Sequence, residues 1–489
     1  MKKTLFVALI LVLPVSLYLI FDSKDEPVFD SNDKAEIKHI FLITVDTLRA
    51  DHLGCYGYIR NTSPFIDSLA EKGVLFEKAY SQTASTSPSH ASIFTGLYPS
   101  QHRVLANGYV LDDSYMTLAE ILRENGLKTA AFTSTDRHFR RSNISQGFEF
   151  YDEPLDTVKT YGFKYRQAGF TIDNAISWLD NFNPENRLFL WIHLFDPHYP
   201  YHPPKEYHER IDNDLKQDVF LKYIENFYID TEVFNKAHLG PDYKYLNNKE
   251  KMYKYITNYD AEIEYADDEL KRLYDFAERK GLNKNSLWVI TSDHGEALGQ
   301  HHWRQHGAMI YQEEIQVPLI FFSDRNFTSK RIKDVVENFD IFPTILDFLQ
   351  IEIDDSLATE INSISLSKKI WNAQESLGKN FAFSQRGRKV KEKPIIEGYD
   401  ERQKYAIQNE KFKYIYRSDA EDEFYDIRQD PFEQTNLTNT ATHKYIEEKK
   451  VLGENLVELL TKLDKYDNVK TEMVDKKTIE RLKSLGYLK

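Results

Sequence analysis

Three short stretches carry residues whose types and spacing suit catalysis. "FLITVD" ends on Asp46, and "LWVITSDHG" closes a similar apolar run with Asp293 and His294 in adjacent positions. Each run is short, continuous and rich in β-branched residues, as buried parallel strands are. Ligands of open parallel sheets bind beyond the carboxyl ends of strands, where both acidic residues would stand. A carboxylate beside an imidazole, followed by Gly295 for a tight turn, can direct both side chains at one metal ion. Such mixed ligation favours zinc or manganese over an all-oxygen cage, with calcium possible. The third stretch, "TASTSPSHASIFTG" (residues 83–96), crowds hydroxyls against a helix start. Pro88 suits the first turn, Ser87 the N-cap and Gly96 the stop. Thr86 then stands just outside the helix N-terminus, where free amides and the dipole favour an anionic group. A hydroxyl there, its pKa lowered by a metal, could attack phosphorus or sulfur. Blander readings stand beside these: a strand-end Asp is also an ordinary turn residue, and the hydroxyl run is also a plain capping motif.

The elements that would position these residues alternate along the chain. "IKHIFLITVD" reads as a buried strand and "NTSPFIDSLAEKG" as a helix, with Thr62 or Ser63 as N-cap, Pro64 in its first turn and Gly73 as its stop. Helix-like "TLAEILRENG", "FTIDNAISWLDNF" and "IEYADDELKRLYDFAERKG" precede strand-like "KTAAFTST", "RLFLWIHLF" and "SLWVITSD". The alternation predicts an α/β fold, a mostly parallel sheet sandwiched by helices. Residues 203–250 are charged and weakly periodic, so an insertion or lid beside the sheet is expected there. From about residue 385 the pattern changes to short alternating strands and a helical tail, which predicts a smaller C-terminal α+β subdomain over 385–489. The main domain is then residues 37–384.

At 489 residues the chain can bury a large core. A net charge of −14 argues against nucleic acid as a partner, because a phosphate-tracking surface needs a basic stripe. The single cysteine, Cys55, excludes an intramolecular disulfide framework. "MKKTLFVALILVLPVSLYLIF" places two lysines before an apolar run, which reads as a signal peptide or signal-anchor over residues 1–21. Bulky Leu19, Ile20 and Phe21 offer no small-residue cleavage site, which leans towards a membrane anchor. A polar linker, 22–36, follows, and the body is expected to be exported to a periplasmic or other extracytoplasmic space.

"TSPSHASIFTGLYPSQHRV" resembles the sulfatase signature Cys/Ser-x-Pro-Ser-Arg-x-x-x-x-Thr-Gly of the alkaline phosphatase superfamily. The resemblance runs on through "ITVDTLRADHLGCYGY", "HLFDPHYPY", "TSDHGEALGQH", "HGAMIYQEEIQVPLIF", "DIFPTILDFL", "EFYDIRQDPFEQTNL" and "RLKSLGYLK", in family order. It implies the sulfatase-like fold and a metal-dependent ester hydrolase or transferase. The departures are specific. Thr86 stands where the family has the Cys or Ser that becomes formylglycine, His90 replaces the signature arginine, Thr47 replaces one of two paired aspartates, and His306 replaces a lysine. The remaining set resembles the one-metal site of threonine-nucleophile relatives such as lipoteichoic-acid synthases and phosphoethanolamine transferases. That resemblance implies Asp46, Thr86, Asp293 and His294 as metal ligands and Thr86 as nucleophile. His198 and His306 would contact substrate or leaving group, and Ser89 and His90 would line the substrate side. The expected partner is an anionic ester, a phosphorylated or sulfated lipid, glycan or small molecule, with phosphoesters favoured over sulfate esters. The rivals are a sulfatase working without formylglycine and an idle family member that binds anionic glycans. His193, His301 and His302 are assigned to strand packing or loop surface, His52 and His102 to structure, and Asp267 and Asp268 to a solvated helix face.

Overall fold

The computed structural model describes residues 36–489, except 136–137, 155–158, 161–162, 226–248, 303–304, 325–326, 387–402, 419, 441, 469–471 and 474–489. Among the described residues a nine-stranded sheet forms the centre. Its strands in chain order are β1 (His39–Val45), β2 (Val74–Tyr80), β3 (Lys128–Thr133), β4 (Phe150–Asp152), β5 (Leu188–Leu194), β6 (Ser286–Thr291), β7 (Gln316–Val317), β8 (Leu319–Phe322) and β9 (Lys330–Glu337). β1 lies between β5 and β6, parallel to both, and β3 and β4 extend the parallel array beyond β5. β8 runs antiparallel between β6 and β2, and β9 pairs parallel with β2. The expected α/β architecture is present, with β7 and β8 reversed against their neighbours.

Alternation along β1 explains why helices cover both faces. Ile40 and Leu42 join Trp191, Val289 and helix residues Ile93, Phe94 and Ile345 on one side. Phe41, Ile43 and Val45 join Ile192, Trp288, Ile290 and helix residues Phe65, Ile172 and Leu270 on the other. Phe41 stacks on Trp288 at 4.1 Å between ring centroids. Burying a side chain of this size contributes roughly 2–3 kcal/mol, so both faces have a strong reason to stay covered.

Helix α1 (Pro64–Lys72) begins after Ser63 and stops at Gly73, as its sequence predicts. Its cap differs. The amides of Phe65 and Ile66 donate to Asp267, each at 2.8 Å, from the helix Lys249–Arg279 packed above. Asp267 is therefore buried and corrects the solvated-face expectation, while Asp268 meets Arg210 at 3.0 Å on the exterior. Helical periodicity placed both carboxylates on a polar stripe, but a helix end docked on that stripe takes one of them inside.

Within the expected insertion, the helices Lys205–Asp214 and Gln217–Ile224 pack against the helix Lys249–Arg279. Tyr207 meets Tyr265 edge-on at 5.1 Å, and Phe220 clusters with Tyr253 and Ile256. The described part is thus a packed layer. The remainder, 226–248, lies outside the described residues.

A second sheet, antiparallel, has the order β10 (Ala382–Arg386), β11 (Lys404–Gln408), β12 (Lys413–Arg417) and β13 (Glu423–Tyr425). The helix His443–Leu463 lays Leu452, Leu456 and Leu463 against Phe383, Ile407, Phe412 and Phe424. This is the α+β region anticipated from the change of pattern, beginning at Ala382. Ser384 Oγ donates to Ser81 O at 2.6 Å and Gln385 N to Gln82 O at 2.8 Å, which ties the second sheet to the loop before the hydroxyl run. No helix among the described residues is long and apolar enough to cross a membrane. The expected anchor over 1–21, most of the linker and the terminal "RLKSLGYLK" lie outside the described residues.

Candidate active site

Strand register brings the two acidic ends together. Thr44 of β1 pairs with Thr291 of β6, and each chain runs two residues further to Asp46 and Asp293. Immediately after Asp46, Thr47 adopts a left-handed φ of 58°, held by Tyr259 Oη donating to its carbonyl at 2.7 Å. A β-branched residue in that region costs on the order of 1–3 kcal/mol, a strain met at functional turns. The turn aims the Asp46 carboxylate back over the strand ends. Gly295 serves close approach: a Cβ there would meet Glu313 O at 2.1 Å.

The donor set is unusual in what it lacks. Both carboxylate oxygens of Asp46 and Asp293 Oδ2 are buried with no hydrogen-bond donor among the described residues. Asp293 Oδ1 accepts from His294 N at 2.9 Å and Thr47 N at 3.3 Å. His294 Nδ1 donates to Gly295 O at 3.0 Å, so Nε2 keeps its lone pair. That lone pair faces Asp293 Oδ2 at 3.4 Å, Asp46 Oδ1 at 3.9 Å and Thr86 Oγ1 at 3.4 Å. Burial and the neighbouring Asp293 push the Asp46 carboxyl well above its ordinary value. Burial is the strongest single influence on Asp293 and would raise it, but the His294, His90 and His193 imidazoles and the His294 amide together hold that carboxyl below the usual range. Lone pairs converging in a dry cleft repel unless a cation lies among them. Asp46, Asp293 and His294 form such a ligand group, and they fit a divalent cation.

Helix α2 (Thr86–Thr95) has Ser85 as N-cap and Gly96 at a φ of 69° as C-cap. It starts earlier than the expected Ser87 N-cap, so Thr86 is the first helical residue. An amide cradle for an anion is not what the first turn provides. Ser87 N donates to Asn107 Oδ1 at 2.8 Å, Ser89 N to Ser85 O at 3.0 Å, and Pro88 has no N–H. What remains is the helix dipole and the Thr86 hydroxyl pointed at His294.

Ser89 and His90 are each held by partners within the protein. Ser89 is buried, its Oγ donating to Asp293 O at 2.7 Å and lying 3.1 Å from Ser81 Oγ. His90 is buried with both ring nitrogens engaged: Nδ1 donates to Thr86 O at 2.8 Å, and Nε2 meets Thr44 Oγ1 at 3.1 Å. Trp191 Nε1 donates to the same Thr44 oxygen at 2.9 Å. With Thr44 Oγ1 accepting from Trp191, its proton goes to His90 Nε2, and the tautomer is set. Burial lowers the His90 pKa to about 3, so the ring is neutral. It is a strut between β1 and α2, which an arginine in this dry position could not be without a paired anion.

His198 and His306 do reach the cleft. His198 Nδ1 donates to Tyr199 O at 2.5 Å, and its ring lies 5.0 Å from that of His306. The His306 ring lies 4.4 Å from that of His294, with Nδ1 3.4 Å from Glu296 Oε1. Three residues at the site were absent from the sequence assignments. His138 Nε2 lies 2.7 Å from Ser87 Oγ, Asn107 holds the Ser87 amide, and Glu296 stands behind His306. His193, assigned to strand packing, lies within β5, paired with Thr44, and its Nε2 is 3.6 Å from Asp46 Oδ2. His301 meets Glu313 at 2.6 Å, and buried His52 meets Asp260 at 2.7 Å, both away from the ligand group.

The sulfatase family model matches residues 38–351, most of the chain. This chain belongs to the sulfatase family. A second family model, described as N-sulphoglucosamine sulphohydrolase, C-terminal, matches residues 299–462. An arylsulfatase of Clostridium perfringens is 24% identical over 464 residues, covering 83% of this chain and 91% of that protein. An N-acetylglucosamine-6-O-sulfatase of Bacteroides thetaiotaomicron is 25% identical over 488 residues, covering 86% and 85%. Among solved structures, a phosphonate monoester hydrolase of Agrobacterium radiobacter superposes with a TM-score of 0.71 at 21% identity, covering 87% of this chain and 96% of that one. The sulfatase-family chain is thus a hydrolase of the alkaline phosphatase superfamily, with candidate metal-binding groups at its strand ends.

Proposed function

We infer that this sulfatase-family hydrolase uses Thr86 as its nucleophile and acts on phosphoesters in preference to sulfate esters. The observation that carries the reading is Thr86 Oγ1 at 3.4 Å from His294 Nε2, at the start of the helix and beside two buried carboxylates. Threonine cannot become the formylglycine aldehyde of the family signature, so the attacking oxygen is an alcohol. Its esters with phosphorus are hydrolysable intermediates in related threonine-nucleophile enzymes.

Asp46, Asp293 and His294 would hold a divalent cation, which when bound would supply Lewis acidity for the Thr86 hydroxyl and the charge on the transferred group. In the first step a Thr86 Oγ–P bond forms as the P–O bond to the leaving group breaks. The proton given up at Thr86 is balanced by one taken up by the leaving oxygen. His306, backed by Glu296, is the group we assign to deliver that proton; His198, its own proton committed to Tyr199 O and its ring held neutral by burial, packs beside it. In the second step water adds to phosphorus, the Oγ–P bond breaks, and Thr86 regains its proton as phosphate leaves. The His90 strut holds the Thr86 carbonyl throughout, keeping the attacking oxygen in place. Export, and anchoring through residues 5–21, complete the proposal for this chain on the sequence pattern alone.

Side-by-side turnover of aryl phosphates, phosphonate monoesters, phosphodiesters and aryl sulfates under defined zinc or manganese tests the preference. Thr86→Ala is expected to lower kcat on the best ester at least 10³-fold, and mass spectrometry of quenched wild-type reactions should find phosphate on the peptide containing Thr86. Full turnover by Thr86→Ala overturns the nucleophile. Faster turnover of aryl sulfates than of every phosphorus ester overturns the preference.

A further inference from the structure

The imidazole of His301 is held between two oxygens that only accept. Nδ1 lies 2.6 Å from Glu313 Oε1, and Nε2 lies 3.0 Å from the carbonyl of Glu433. A carbonyl cannot donate, so Nε2 carries a proton. Glu313 is a carboxylate: burial, the strongest single influence, would raise its pKa, but His301 and Arg49 together hold it below the usual range. Nδ1 therefore carries a proton too, and the ring is an imidazolium. It stacks flat on Tyr311, 3.7 Å between centroids at 12°, as a cation does over a π face. The charges facing it are Glu313, from the short helix Gln312–Ile315, and Glu433, whose carboxylate meets Lys413 Nζ at 2.8 Å. Tyr311 keeps its hydroxyl proton, donated to Glu423 at 2.8 Å. Burial, again the strongest influence, would lower the His301 pKa, but Glu313 and Glu433 together raise it to about 9.

This ring ties down the chain segment that carries Glu296 and His306. Of two adjacent acids on the short helix, Glu314 holds the base of the segment: its carbonyl accepts from Gly295 N at 2.8 Å and its Oε2 from Gly307 N at 2.9 Å. Within the segment Ala297 N donates to Gln305 O at 3.0 Å, and Arg49 Nη1 donates to Glu296 O at 3.0 Å. Glu313 holds it through His301. Leu298 and His301 adopt left-handed φ values of 51° and 46°. Non-glycine backbone of that kind persists only where surrounding contacts over-determine it, and His301 supplies two such contacts. We propose that His301 is a positioning residue: clasped as a cation between Glu313 and Glu433, it holds Glu296 and His306 at the cleft for proton delivery to the leaving group. The role rests on the assignment of His306 to that delivery. Loss of the His301 proton removes the donor to Glu313, so the clasp opens and turnover falls as pH rises through about 9.

The test uses the full-length protein and the ester turned over fastest, whether phosphate or sulfate. In ¹⁵N-histidine spectra one ring, missing from His301→Gln, should carry protons on both nitrogens at neutral pH and titrate near pH 9; a neutral ring there refutes the clasp. The glutamine amide can keep one of the two bonds but no charge, so kcat should fall about tenfold or more, with KM changed less than about threefold. The loss should be larger on phenyl than on 4-nitrophenyl esters, because the better leaving group needs less protonation, and the fall in kcat above pH 9 should vanish. His301→Arg, a planar cation able to stack on Tyr311, should recover most of the activity without that fall. Wild-type kcat in His301→Gln, or an equal loss on both esters, overturns the proposal. Should His301→Gln not fold, Glu313→Gln decides: it leaves the ring in place, and the alkaline fall should move down by about one pH unit or more, an unmoved fall being fatal. His306→Ala separates the two readings. A slow His306→Ala beside a wild-type-like His301→Gln refutes the clasp alone, whereas wild-type turnover by His306→Ala refutes the proton delivery and this role with it.

Discussion

Replacing His90 with alanine separates a strut from an anion binder. The side chain donates to Thr86 O at 2.8 Å and meets Thr44 Oγ1 at 3.1 Å, and its ring packs 4.7 Å from Phe139. Its removal leaves a carbonyl and a hydroxyl without these partners in a dry core. Each costs about 1–3 kcal/mol, and the vacated ring volume adds to that, so a loss of about 2–5 kcal/mol is expected. Freed from its tie, the Thr86 turn can shift, and a displacement of about 1 Å at a reacting oxygen costs about 10²-fold in rate. Denaturant melts of wild type and His90→Ala, with kcat and KM on the best aryl ester, measure both effects. The expected result is a lower midpoint and a kcat reduced about 10²-fold, with KM changed less than about threefold. A KM raised tenfold or more with stability unchanged would mean that His90 touches the substrate, and the strut would be wrong.

Two other perturbations follow from buried groups outside the ligand set. Asp267→Ala removes the acceptor of two α1 amides, so stability should fall by about 1–3 kcal/mol in a denaturant melt; an unchanged midpoint would show the cap to be idle. His102 is buried, its Nδ1 accepting from Val104 N at 3.1 Å and Nε2 meeting Ser92 Oγ at 3.0 Å, and burial lowers its pKa to about 3. The unfolded chain therefore binds a proton near pH 6.5 that the folded chain refuses until about pH 3. His102 lets stability fall as pH drops through that window. His102→Gln should flatten the acid limb of a stability–pH profile between pH 6 and 4, and a slope as steep as wild type would contradict the assignment.

Much of the frame was legible along the chain because it rests on local pattern. Apolar runs of β-branched residues announce buried strands, and the acidic residue that ends each run announces the carboxyl edge of the sheet. The same reasoning passed over His193, which lies within a third strand, level with Thr44 and Thr291 and two residues short of the acidic ends. A histidine in an apolar run also reads as packing, and only its neighbours separate the cases. Ser89 and His90 show what a motif leaves open. Their place in a signature motif suggested substrate, yet helical geometry turns both inward, onto the Asp293 carbonyl and Thr44. Asp267 failed for a related reason, since periodicity assigns a residue to a polar stripe but does not say which helix end docks on it.

By itself the sequence determined the sulfatase-family frame, the run of hydroxyls at a helix start, and the pairing of a strand-end carboxylate with an adjacent imidazole. These depend on residue identity and short-range spacing, which the chain carries in the open. Only the tertiary structure decided which nitrogens are spent and which are vacant. His90 and His193 lie 5.2 Å apart, both buried and both neutral, and they differ in their partners. The carbonyl of Thr86, one turn back on the same helix, and Thr44, from β1, occupy one ring, while the other faces a carboxylate. Thr44 lies more than forty positions from His90 and is brought to it by strand register and helix docking, so no local pattern can specify that contact.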